Sequence, residues 1–172
     1  MRFEKVRFDT FLKDLIKYVS YASTYPKDVI MDLYGSIKIP ERSTAFSAGY
    51  DFCTPMRLFI SGGQSCIVPS GIKCYFTEEE AKNWHLKLYP RSSVGINKHV
   101  LLTNGVGVID ADYYNNLENE GDIIIALTNM SEVPAEFKVG DKVMQGIFEA
   151  YAVTENDLAS GNRTGGIGST GS

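Results

Sequence analysis

The chain is poor in the residues that usually announce a chemistry. It has two histidines, His85 and His99, too few and too isolated for a histidine-rich metal site, and a structural role is expected of each. Its three cysteines, Cys53, Cys66 and Cys74, form no CxxC and leave an odd count. That argues against a disulfide framework and for reduced thiols in a cytoplasmic setting. No apolar run approaches the roughly 20 residues of a membrane span. The opening stretch "MRFEKVRFDTFLKDLIKYVS" is interrupted by charges, so no signal peptide is expected there. There is no basic excess: the formal net charge is −4, which argues against sequence-blind binding to nucleic acid but not against one small anion in a local basic pocket. The glycine-rich end "GNRTGGIGSTGS" contains no GxxxxGK[ST], so it is not a Walker A loop. There is no internal repeat, and that end is the only low-complexity stretch.

What is present fits one domain with a true core: 172 residues, 44% of them hydrophobic and 22% charged. Near the start, Phe8, Phe11, Leu12, Leu15, Ile16 and Val19 recur at three- and four-residue steps and predict one face of a helix. Asp9 is its expected N-cap, and the helix is expected to end in "YASTYP", where Pro26 restricts Tyr25. Its apolar face either packs on the body or serves a protein partner. After about residue 35, short Val-, Ile-, Tyr- and Phe-rich runs alternate with Gly, Pro, Ser and Asn. Strands are expected at 36–40, 56–60, 64–69, 72–76, 84–90, 99–103, 106–110, 122–130, 135–139 and 142–153. Short strands at this spacing point to an all-β sandwich or barrel. "TEEEAKNW" has room for one helical turn with a Thr77–Glu80 capping box.

Several stretches look over-determined for a structural role. "AGYD" (48–51) sets an acid after a glycine. "PRSS" (90–93) offers the Arg91 fork with the hydroxyls of Ser92 and Ser93, a set that suits phosphate. "NGVGVIDADYY" (104–114) reads as a hairpin carrying Asp110 and Asp112. "GDKVMQG" (140–146) puts the Gln145 amide inside a strand. The closely spaced glycines of the tail can wrap an anion with successive N–H groups.

In this order and spacing, "AGYD", "PRSS", "GVIDADYY", "GDKVMQG" and "RTGGIGSTG" resemble the five motifs of the trimeric dUTPases, over residues 48–171. The resemblance implies a distorted jelly-roll β-barrel at 35–158, a helical extension at 1–34 and a flexible arm at 159–172 that closes over the active site. It implies Mg²⁺-dependent hydrolysis of dUTP to dUMP and pyrophosphate by a homotrimer with shared active sites. Asp110 would position and deprotonate the attacking water. Tyr113 would pack on the deoxyribose, and Asn104 with the backbone around Gly107 would read uracil. Arg91, Ser92, Ser93 and Gln145 would hold phosphates, and Asp51 would hold water on the Mg²⁺. In the arm, Gly165, Gly166, Ile167, Gly168, Ser169 and Thr170 would cover the nucleotide, with Arg163 at the γ-phosphate.

Three features depart from the family pattern. Residues 115–120 are an insertion after Tyr114, read either as a longer surface loop or as part of the pocket mouth or a subunit contact. Ile167 stands where an aromatic usually stacks on uracil. Arg163 is one residue nearer the glycines than usual. The related dCTP deaminases share the fold and phosphate site, but the complete glycine arm favours the dUTPases. A regulatory module that binds a protein partner through the first helix or the 115–120 loop is the alternative of a different class.

Overall fold

The computed structural model describes residues 1–161, 163, 165 and 166. The chain opens with β1 (Arg2–Lys5), followed by α1 (Phe8–Tyr18), a short 3₁₀ turn and α2 (Lys27–Ser36). It continues through β2 (Glu41–Arg42), β3 (Tyr50–Cys53), β4 (Leu58–Ile60), β5 (Ser65–Pro69) and β6 (Ile72–Tyr75). The turn α3 (Glu78–Ala81) leads to β7 (Trp84–Pro90), α4 (Ser92–Lys98), β8 (Val100–Leu102) and β9 (Gly107–Ile109). The last strands are β10 (Ile124–Asn129), β11 (Ala135–Phe137) and β12 (Lys142–Ala150). All pairings are antiparallel. The largest sheet runs β2-β3-β12-β7-β9, a second runs β5-β10-β8, and β1-β6 and β4-β11 are pairs. This is the β-rich architecture that the turn-punctuated runs predict.

Alternation sets the faces. In β7, Leu86 and Leu88 point into the core, and β12 answers with Val143 and Met144. Phe52, Ile60, Ile125, Leu127 and Phe137 fill the space between the sheets. The turn at residues 77–81 forms with the expected capping box: the Glu80 amide donates to Thr77 Oγ1 and the Thr77 amide to Glu80 Oε2.

The N-terminal segment corrects the sequence reading most. It begins as a strand, β1, hydrogen-bonded to β6, so it is threaded into the body rather than appended to it. Phe11 and Leu15 of α1 are completely buried in the same core as the sheets. The helix starts one residue before Asp9, which lies inside the first turn; Arg7 takes the N-cap position without a side-chain cap. It ends at Tyr18, well before Pro26. Residues 37–40, expected as a strand, form none: α2 runs to Ser36, and Ile37 and Pro40 bury without a ladder. Proline supplies no N–H there to pair. A second unanticipated helix, α4, follows Arg91, where "PRSS" read as a turn.

Residues 115–120 are not a loose surface loop. Asn116 and Asn119 are buried, and Glu120 reaches back to accept from Lys73 Nζ (2.7 Å), Thr10 Oγ1 (2.7 Å) and both the amide and Nε of Arg7 (3.1 Å each). Glu118 accepts from Lys17 Nζ at 2.8 Å, and its carbonyl accepts from Lys13 at 2.7 Å. The insertion and α1 therefore form one clamped unit, and Phe11, Leu15 and Val19 pack inside the chain while Ile16 stays exposed.

Candidate active site

The three central strands of the large sheet converge on a charged cluster. Gln145 on β12 lies opposite Asp51 on β3 and opposite Tyr89 on β7, so Asp51, Gln145 and the Pro90–Arg91 corner meet at one end. Arg91 Nε is 3.3 Å from Asp51 Oδ1, and Lys142 Nζ is 2.8 Å from Oδ2. Ser43 Oγ donates to Oδ2 at 2.6 Å, and Gln145 Nε2 donates to the Pro90 carbonyl at 3.4 Å. A Cβ at Gly49 would collide with Gln145 Oε1, so only glycine allows the amide to lie there. Burial alone would raise the Asp51 carboxyl. The hydrogen bonds from Lys142 and Ser43 and the Arg91 charge outweigh it and hold the group below its ordinary value. Asp51 is thus an ionised carboxylate at the edge of a cavity of about 720 Å³ that Lys38, Arg42 and Lys142 also line. Ser92 and Ser93, exposed at the start of α4, follow directly on Arg91. Such a concentration of cations and hydroxyls is suited to an anionic oxygen cluster.

The hairpin expected at 104–114 does not form, because β8 pairs with β10 and β9 with β7, in two different sheets, and the turn between β8 and β9 builds a second place. Asn104 and Thr103 sit near its tip, and Gly107 passes so close to Leu88 that a Cβ would lie 3.0 Å from Leu88 Cδ1. Beside it is a mainly apolar cavity of about 330 Å³ lined by Asn104, Thr103, Gly107, Leu88, Met144 and Tyr18 among others. That volume is at the small end of ligand pockets and suits a nucleoside.

Asp110 follows β9 in a third place, on a cavity of about 900 Å³ shared with Asp112, Tyr75, His85 and Tyr151. These three cavities have no lining residue in common. Within one chain, therefore, Asp110 is not brought to Asp51, Arg91 and Gln145.

Two expected residues take unexpected positions. Tyr113 is 3% exposed, and its hydroxyl donates to the Asp122 carbonyl at 2.9 Å while accepting from Asn119 Nδ2 at 2.9 Å. The insertion thus fixes this ring, and burial pushes its hydroxyl up to about 12. Arg163 lies not at the phosphate-type cluster but on the acids. Its Nη2 is 3.1 Å from Asp110 Oδ2, its Nε is 3.0 Å from Asp112 Oδ1, and its guanidinium carbon is 5.4 Å from the Tyr113 ring centroid. The reason is electrostatic: two adjacent carboxylates make the strongest local partner for a guanidinium. The Gly166 amide donates to Glu118 Oε2 at 2.8 Å, and Gly165 is half-buried beside it. Ile167, Gly168, Ser169 and Thr170 lie outside the described residues.

Sequence reading missed Ser43, Lys142, Tyr18 and Glu118 at these places. Lys142 stood inside the quoted "GDKVMQG", and Tyr18 continues the helical spacing from Leu15. Glu118 lay inside the 115–120 insertion, one reading of which was the pocket mouth, and nothing local to Ser43 marked it. Among the described residues, no group of three or more His, Cys, Asp or Glu side chains could hold a metal ion, and no helix is long and apolar enough to cross a membrane.

Comparison with known proteins agrees with this geometry. Residues 35–171 match the dUTPase family model. The chain is 39% identical over 137 residues to the deoxyuridine 5'-triphosphate nucleotidohydrolase of Lactococcus lactis, covering 78% of this chain and 89% of that one. The crystal structure of dUTPase from Streptococcus mutans superposes with a TM-score of 0.66 at 32% identity, over 90% of this chain and 99% of that one. A dUTPase from phage phi11 of S. aureus, studied for its coordination of a structural Mg(II) ion, shares the fold with a TM-score of 0.60 at 17% identity, over 76% of this chain and 94% of that one. On these grounds the chain belongs to the dUTPase family.

Proposed function

We propose that the chain is a dUTP diphosphatase, hydrolysing dUTP to dUMP and pyrophosphate, and that it works as a homotrimer. The observation that carries this reading is the pairing of a charged cluster at Asp51, Arg91, Lys142 and Gln145 with a separate segment after β9 that bears Asp110 and Asp112, in a chain of this family. Arg91, Ser92, Ser93 and Gln145 hold the phosphates. Asn104 and the backbone at Gly107 take the uracil edge, and Tyr113 meets the deoxyribose once Arg163, which now lies over its ring, has moved away. Asp110 orients a water and accepts its proton as the water attacks the α-phosphorus in line. The bond from that phosphorus to the bridging oxygen breaks, and pyrophosphate leaves. The protein's contribution is alignment and charge neutralisation rather than a covalent step.

Mg²⁺ would supply further charge neutralisation at the phosphates. A single ionised carboxylate set among cations fits an outer-sphere partner, and Asp51 is the residue that would hold its waters.

Because the acid and the cationic cluster line different cavities of one chain, sharing sites between copies is the arrangement that unites them. Residues 159–172 act as the closing arm over the 35–158 barrel. On closure, Arg163 exchanges Asp110 and Asp112 for the γ-phosphate and so releases the acid to the water. Keeping uracil out of DNA is the consequence.

Replacement of Asp110 by Asn tests the assignment of the acid. The variant should bind a non-hydrolysable dUTP analogue while turnover falls by at least about a hundredfold. Unchanged turnover would remove Asp110 from its role.

A further inference from the structure

The apolar cavity beside the β8–β9 turn has one wall drawn from outside the stretch that matches the family model. That wall is Tyr18, the last residue of α1, which lines the cavity with Asn104 and Gly107. The family match begins only at residue 35. Tyr18 is half-buried and is held from several sides. Leu15 and Val19, which flank it on the helix, are buried at 0% and 5% exposure. The preceding Lys17 ties to Glu118 at 2.8 Å, and its ammonium lies 5.0 Å from the Tyr18 ring centroid. The Val19 amide closes the helix on the Leu15 carbonyl at 2.9 Å. The backbone that carries the ring is therefore fixed at the cavity by the packing of the helix end.

The remainder of the cavity is lined by aliphatic groups such as Leu88, Leu102, Ile124 and Met144, with Asn104 and Thr103 as its polar edge. A flat pyrimidine needs that polar edge for its carbonyls and imide, and apolar cover for its faces. Aromatic cover is favoured over aliphatic cover for a planar ring. In the sequence, the arm motif has Ile167 at the position where the family resemblance implies an aromatic, so that position carries no ring.

We propose that Tyr18 is a nucleoside-contacting residue of this pocket, by which the N-terminal helix supplies the aromatic wall that the arm lacks. The proposal rests on the reading of the chain as a dUTP hydrolase. It gives the insertion at 115–120 a purpose as well: Glu118 and Glu120 clamp α1 so that its last residue stays at the pocket.

The test is steady-state dUTP hydrolysis by the full chain and by Tyr18→Phe, Tyr18→Leu and Tyr18→Ala, with dUMP affinity measured by calorimetry. The KM for dUTP should rise about tenfold in Tyr18→Ala and about threefold to fivefold in Tyr18→Leu, and stay within about twofold in Tyr18→Phe. The kcat should stay within about twofold throughout, dUMP affinity should fall in parallel with the rise in KM, and inhibition by pyrophosphate should not change. If Tyr18→Ala fails to fold, the Leu and Phe variants decide the matter. Unchanged KM and dUMP affinity in Tyr18→Leu, with normal dUTP turnover, would overturn the proposal and leave the hydrolase reading intact. Equal loss in Tyr18→Phe would assign the effect to the hydroxyl and also overturn it. An unsubstituted protein that does not hydrolyse dUTP would end both readings together.

Discussion

Asp14 and Asp122 are buried carboxyls, 1% and 0% exposed, and one oxygen of each, Oδ2, has no hydrogen-bond partner among the described residues. Burial pushes Asp14 up to about 6, against the pull of Lys17 and Lys13. Burial pushes Asp122 well up, and the Asp14 charge adds to it, while Gly71 and Ser70 donate to the other oxygen. Glu120 goes the other way: burial alone would raise it, but Lys73, Thr10 and Arg7 outweigh that and bring it down to about 2. The signs follow from linkage. A raised acid binds its proton more tightly when folded, so Asp14 favours folding below its unfolded value of 3.8 and loses that contribution as pH rises through about 6. A depressed acid favours folding above its unfolded value of 4.5 and loses that as pH falls through about 2, as Glu120 does. These groups together place the highest stability in thermal unfolding near about pH 4, and Asp14→Asn should gain on the order of 1 kcal/mol at about pH 8. A wild-type stability that climbs steadily from about pH 5 to pH 8 would contradict this. None of it was legible in the sequence, where Asp14 reads as one more charge on a helix and only the packed fold shows it facing inward.

At the scale of elements, α1 was legible because apolar spacing is a local property, and Phe11 and Leu15 do fall on one buried face. Its partner was not legible, because that partner is the insertion more than a hundred residues away in sequence, joined through Lys17–Glu118 and Arg7–Glu120. Two helices escaped for physical reasons: α4 carries Gly95 and follows a proline–arginine corner, and α2 contains Gly35, a weak helix former. The short β3 was hidden because "AGYD" drew attention as chemistry, although the same residues set the Asp51–Gln145 register. If α1 belongs to the core, Leu15→Ala should cost about 2–5 kcal/mol in denaturant unfolding, the price of a buried Leu left as a cavity. A cost near that of a surface substitution would mean that the helix is only laid against the barrel.

For the whole molecule, the motif order carried the family and the β-rich class, since both are written in short stretches: "AGYD", "PRSS", "GVIDADYY", "GDKVMQG" and the glycine tail. The sequence could not show that Asp110 and Asp51 line separate cavities, because that depends on β12 and β7 lying between β3 and the edge strand β9 in one sheet. Nor could it show Arg163 resting on Asp110 and Asp112, a contact made only after the arm folds back on the segment that follows β9. These placements argue for a site completed between copies and for an arm that exchanges partners when nucleotide binds. The central claim is chemical, and the most direct measurement is pyrophosphate release with dUTP, dCTP, dTTP and UTP side by side in the presence of Mg²⁺. Strong preference for dUTP is expected, with dTTP rejected at the β8–β9 turn and UTP at Tyr113; equal rates on all four, or release of ammonia from dCTP, would contradict the assignment as a dUTP diphosphatase.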